Sequence, residues 1–135
     1  MLERAMLFFL GGGGYLAVEV AWRGTTHWTM FLAGGVSLCL LQVLALRPMP
    51  LAAAAGLGAA GVSGVELAVG ALCRQVLHLT VWDYSREWGN LAGLICPRYS
   101  LYWFVLCGWV VLVLRVARRA TCRPVYCTRD PSSNT

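Results

Sequence analysis

The chain has 135 residues, 59% of them hydrophobic and 13% charged, with a net charge of +5. Soluble domains are about 45–50% apolar and about 25% charged, and a chain this short cannot hide such an excess from water. Composition therefore excludes a soluble single-domain enzyme and, with a mean hydropathy of +0.65, indicates a membrane protein.

Four apolar segments follow in chain order, at about residues 5–22, 28–46, 51–72 and 99–114. Each is near the ~20 residues that cross a hydrocarbon layer. The first is too long for the apolar core of a cleaved signal peptide, about 7–15 residues, and it carries Glu19. It is expected to be a retained helix. Arg23-Gly24-Thr25-Thr26-His27 joins the first two segments, and Arg47-Pro48-Met49-Pro50 joins the next two. Paired prolines stop a helix, and short links force antiparallel neighbours. The expected fold is an all-α integral membrane protein of four transmembrane helices, arranged as two antiparallel hairpins. The transmembrane domain covers residues 1–120, including a long polar and aromatic connection at 81–98. Residues 121–135 form a polar tail, expected to be disordered and cytoplasmic.

Four crossings put both termini on one side. That side would hold Arg4, Arg47, Arg115, Arg118, Arg119, Arg123 and Arg129, against Arg23, Arg74, Arg86 and Arg98 on the other. The excess supports cytoplasmic termini. Trp22, Trp28, Trp82, Trp88 and Trp103 fall where interfacial anchors belong, with Tyr99 and Tyr102 among them.

Several function classes are excluded or disfavoured. There is no lysine, so there is no P-loop lysine to reach a nucleotide phosphate. The basic charge is not carried on a soluble amphipathic face, so no nucleic-acid partner is expected. The six cysteines contain no CxxC, and His27 and His78 lack zinc spacing. The cysteines read as free thiols serving as small apolar residues. No metal, cofactor, catalytic residue or enzymatic activity is expected.

Gly11 to Gly14 interrupt the first helix, and each glycine weakens a helix by about 1 kcal/mol relative to alanine. Close helix approach is the usual compensation in a membrane. Gly56, Ala60 and Gly64 recur at four-residue spacing on the third helix. The first and third helices are therefore expected to pack through Gly11 and Gly14 against Gly56, Ala60 and Gly64.

Glu19 and Glu66 are the acids at membrane depth. Such a residue costs about 2.5–3.5 kcal/mol on insertion scales and normally faces a bundle interior. Counted from the starts of their helices, both lie about 21–23 Å up, at 1.5 Å per residue. Two carboxylates at one level either share a proton or bind a cation, or each pairs with an arginine: Arg23 for Glu19, and Arg74 or Arg23 for Glu66. Beyond them, Trp82-Asp83-Tyr84-Ser85 opens the long connection. Asp83 and Ser85 are suited to cap a short helix there, and the segment is placed to fold back over the bundle.

Glu19, Trp22-Arg23-Gly24, His27-Trp28 and Gly34-Gly35, followed by Glu66, Trp82-Asp83-Tyr84-Ser85, Asn90, Gly93, Ile95-Cys96, Ser100 and Trp103, form a set with a resemblance. Over about residues 7–110 the chain resembles a bacterial membrane-protein family described as putative ABC-transporter type IV. The resemblance implies a small, multi-helix, permease-like protein of the bacterial plasma membrane. It brings no substrate or catalytic residue. Glu19, Arg23, His27, Glu66, Trp82, Asp83, Tyr84 and Asn90 match the family pattern, whereas the arginine- and cysteine-rich tail departs from it.

The function expected from the sequence is a permease-like membrane component with a substrate or ion pocket built from Glu19, Arg23, His27, Glu66, Asp83, Tyr84 and Asn90. A homo-oligomer or a separate ATPase subunit would complete a pathway through the bilayer. The alternative is a non-transport membrane scaffold or a holin-like oligomer.

Overall fold

The structure, a computed structural model, describes residues 2–121. Four helices follow one another: α1 (Leu2–Arg23), α2 (Trp28–Leu46), α3 (Leu51–Gln75) and α4 (Pro97–Thr121). All four are long and apolar enough to cross a bilayer. A helix satisfies its own backbone hydrogen bonds there, which is what a hydrocarbon environment demands. Among the described residues there is no strand, only an isolated bridge between Leu91 and Ile95. The chain is a four-helix membrane protein with neighbouring helices antiparallel. Cys122, Arg123, Cys127, Arg129 and the rest of the expected tail lie outside the described residues.

Local chemistry sets the helix ends. Gly24 adopts φ +74° just past α1, and its amide donates to the Val20 carbonyl. The His27 ring caps α2 by accepting from the Thr29 amide. Pro48 and Pro50 bracket the α2–α3 turn, since neither has an amide proton to extend a helix. At the end of α3 the Leu79 amide reaches back six residues to the Cys73 carbonyl, with His78 at φ +53°, a left-handed residue that turns the chain out of the helix. Pro97 opens α4 at the first helical position, where a missing amide proton costs nothing.

The expected packing of α1 on α3 does not occur. The α1 backbone approaches that of α2 and of no other helix. Gly11 and Gly12 meet Gly34, Leu38 and Phe31 of α2 so closely that a Cβ at Gly11 would lie 2.5 Å from the Gly34 carbonyl oxygen. Gly13, Gly14 and Gly64 face open space, Gly56 meets only Phe104 at 3.9 Å, and Ala60 is exposed. The reason is local. The short 24–27 link makes α2 the neighbour of α1, Gly34 supplies the small surface that Gly11 can approach, and Gly35 receives the Phe8 ring. On α3 Gly61 meets Leu40 and Gly70 meets Leu94 and Trp82, while Gly58 is set against Leu41 and Cys107. It belongs to a core of Leu41, Ala54, Val62, Cys107 and Val111 shared by α2, α3 and α4.

Residues 76–96 form a cap over one end of the bundle, called here the loop end. The opposite end, with the start of α1, the α2–α3 turn and the end of α4, is the terminal end. The cap is made of turns and contains no helix. The Asp83 carboxylate accepts from the Ser85 amide two residues on, an Asx turn rather than a helix cap. Trp82 and Trp103, expected as interfacial anchors, point inward instead. Trp82 is buried with Met30, Tyr84, Leu94 and Cys96, and its indole donates to the Leu94 carbonyl. Trp22, Trp28 and Trp88 are exposed, as interfacial residues would be.

Candidate functional site

Glu19 and Arg23 lie one helical turn apart on α1, on the same face. Glu19 is buried at the loop end. Its Oε1 is 3.6 Å from the Arg23 guanidinium, and its Oε2 accepts from the Thr26 hydroxyl at 2.7 Å. The same guanidinium donates to the Tyr84 oxygen at 2.6 Å and sits 5.5 Å from the centre of that ring. Arg23 thus ties α1 to the cap. A planar fork suits such bridging, because its donors point in fixed directions. Burial pushes the Tyr84 phenol above its ordinary range, against the pull of Arg23. The phenol therefore stays neutral.

A cleft of about 140 Å³ opens beside this pair. Glu19, Arg23, Thr26 and His27 line one side, and Leu79 and Thr80 line the other. It has room for a few waters or a small polar ligand, at ~30 Å³ per water.

Glu66 lies elsewhere. It is buried within the helices at 4% exposure. Its two oxygens accept from the Tyr15 hydroxyl at 2.7 Å and the Trp103 indole at 3.0 Å. The Tyr15 and Trp103 rings stack with centroids 5.6 Å apart. Among the described residues no arginine is within ion-pair distance of Glu66. Tyr15 is one turn before Glu19 on α1, about 6 Å further from the loop end. The two acids are therefore not side by side: Glu19 lines the cleft, and Glu66 lies behind a wall of aromatic rings. That wall continues through Tyr99, a turn before Trp103 on α4, which stacks on Tyr84 at 4.4 Å.

Of the seven residues expected in one pocket, the structure brings Glu19, Arg23 and His27 to the cleft and joins Tyr84 to it through Arg23. Asp83 and Asn90 do not line it. The Asn90 amide donates to the Ser85 and Glu87 carbonyls, and its oxygen accepts from the Gly93 amide. Asp83 is 3.6 Å from Arg74. The Ser85 hydrogen bonds, with Arg74 nearby, hold the Asp83 carboxyl below its usual range. Arg74 also donates to the carbonyls of Ala92, Trp82 and Gly93. These residues fasten the cap.

Tyr15 and Trp103, the partners of Glu66, are the residues the sequence analysis missed. Tyr15 is four residues before Glu19, a spacing that marks a shared face but not what the phenol reaches. Among the described residues, no group of three His, Cys, Asp or Glu side chains is placed to hold a metal ion.

No curated protein and no solved structure matches the chain. A family model described as "Putative ABC-transporter type IV" matches residues 14–126. The match spans most of the chain, from just before the Tyr15 contact to beyond the end of α4, and the chain belongs to that family.

Proposed function

We propose that the chain is a permease-like component of a membrane transport assembly. In this reading the loop-end cleft receives a small polar ligand, and Glu66 takes up a proton or the ligand's cationic group. One observation carries it. Glu66 is buried among apolar helices with two neutral donors and no cationic partner among the described residues. A carboxylate offers about four lone-pair sites, and a buried acid in a membrane bundle ordinarily marks a pathway or binding function. The Glu19–Arg23 pair at the cleft would orient the ligand, and Tyr15 links the two levels. The reading assigns no catalysis to this chain. ATP hydrolysis would belong to a separate subunit, and both termini would face the cytoplasm.

A second reading, a non-transport scaffold or a holin-like oligomer, is favoured by the open glycines Gly13, Gly14 and Gly64. A second copy of the chain could pack on those faces. The test is mild-detergent purification of the full chain from its native membranes, followed by reconstitution into vesicles. Co-purification with an ATPase subunit, and ATP-dependent uptake lost in Glu66→Gln while assembly persists, is the expected result. A self-associated chain without an ATPase that releases trapped calcein would overturn the transport reading in favour of the oligomer.

A further inference from the structure

A cavity at the terminal end lies outside the site described above. It measures about 420 Å³ and is walled by the α2–α3 turn, from Ala45 to Pro50, and by the final turns of α4. Arg47, Arg115, Arg118 and Arg119 line it, and among the described residues no carboxylate does.

The four guanidinium groups are not equivalent. Arg115 donates to the carbonyls of Ala45, Arg47 and Met49. It closes the exposed carbonyls at the end of α2 and pins the proline turn to α4. The guanidinium groups of Arg47, Arg118 and Arg119 make no hydrogen bond or ion pair with any described residue. Three cations facing one cavity repel one another, and an anion supplied from outside relieves that cost. Guanidinium groups suit phosphate in particular, because their planar forks make paired hydrogen bonds to its oxygens.

The depth of the cavity identifies the source of the phosphate. Arg115 is 18 residues past Pro97, about 27 Å along the helix, close to the ~30 Å thickness of a hydrocarbon core. The cavity thus lies at headgroup level. Leu112 and Val116 are seven and three residues before Arg119, on the same helical face, and both are exposed. Leu46, beside Arg47, is exposed as well. An apolar surface below a cluster of cations with no partner among the described residues fits a molecule with a phosphate head and acyl chains.

We propose that this cavity is a binding site for an anionic phospholipid, its phosphate held by Arg47, Arg118 and Arg119 and its chains laid along Leu112 and Val116. Arg115 shapes the site and is not itself the discriminating contact.

The test uses the full chain in neutral detergent, with native mass spectrometry reading the lipid that stays bound. The probes are phosphatidylglycerol, phosphatidylcholine and inorganic phosphate. Phosphatidylglycerol is expected to be retained in preference to phosphatidylcholine. Retention is expected to fall about fivefold for each charge removed in Arg47→Gln, Arg118→Gln and Arg119→Gln. The lysine versions should recover part of the loss, because they restore charge without the fork. Arg86→Gln, at the loop end, should leave retention unchanged. Equal retention of both lipids, or retention unaffected by the triple glutamine variant, would overturn the proposal. So would inorganic phosphate displacing the lipid at matched concentration, since the acyl chains would then add nothing.

Discussion

At the loop end, Arg23, Arg74 and Arg98 each lie within 4 Å of a carboxylate, Glu19, Asp83 and Glu87 respectively. At the terminal end, Arg47, Arg118 and Arg119 meet no acid among the described residues, although all three line a single cavity. The contrast separates two uses of arginine. Where the fork bridges several elements, as Arg74 does for α3 and the cap, it is part of the fold. Where charges crowd around a space without partners, they are available to something else. Removing an arginine should therefore cost stability at one end and ligand retention at the other.

The largest stability effect is expected at Arg74. Arg74→Ala removes donors to the Ala92, Trp82 and Gly93 carbonyls as well as the Asp83 contact. The cost should be about 2–3 kcal/mol, with part of the cap lost. Limited proteolysis within residues 76–96 would detect it. Full protection of the cap in that variant would mean that the Trp82 and Leu94 packing suffices alone.

Glu66 comes next. Glu66→Leu orphans the Tyr15 hydroxyl and the Trp103 indole, at about 1–3 kcal/mol for each buried donor, but it also lifts the cost of burying the acid, so the net loss should be about 1–2 kcal/mol. Adding Tyr15→Phe should recover part of the lost thermal stability, because one orphan disappears. A double variant no more stable than the single one would show that Tyr15 packs there without a productive hydrogen bond.

The acid response of the cap is smaller. Asp83 has a lowered folded-state pKa, so its contribution is present above its unfolded value and lost as pH falls through the lowered folded value. Cap order, read from the fluorescence of Trp82 and Trp88, should decline in that acidic window. Asp83→Asn keeps an oxygen for the Ser85 amide and should abolish the step. A step that persists in Asp83→Asn would assign the acid response to another group.

The smallest stability effect is at the terminal end. Arg118→Gln with Arg119→Gln should change thermal stability in neutral detergent by no more than about 0.5 kcal/mol. A large loss there would show that these side chains support the helix end, erasing the contrast between the two ends.

The four crossings, their order and their approximate bounds were legible because each depends on a continuous stretch of chain. An apolar run of sufficient length or a proline pair acts locally. Arg23 as the partner of Glu19 was one of two alternatives the sequence left open, and it is an i, i+4 pair on one helix. The glycine contacts were misassigned because a small residue signals that something approaches without saying what. Gly34, not the α3 glycines, supplied the matching surface. Trp103 carried no pattern separating an interfacial anchor from the donor to a buried acid.

By itself the sequence determined a membrane protein of four helices, with two acids inside apolar segments and a basic terminal end. Transfer free energy into hydrocarbon accumulates residue by residue along a segment, so it can be read without knowing the neighbours. The tertiary structure alone decided that Glu66 belongs with Tyr15 and Trp103, 51 and 37 residues away in the chain. It also brought Arg23 to Tyr84 across 61 residues, and gathered Arg47 with Arg118 and Arg119 around one cavity. Hydrogen bonds and charge clusters depend on distances of a few ångströms in space, and separation along the chain does not encode those distances.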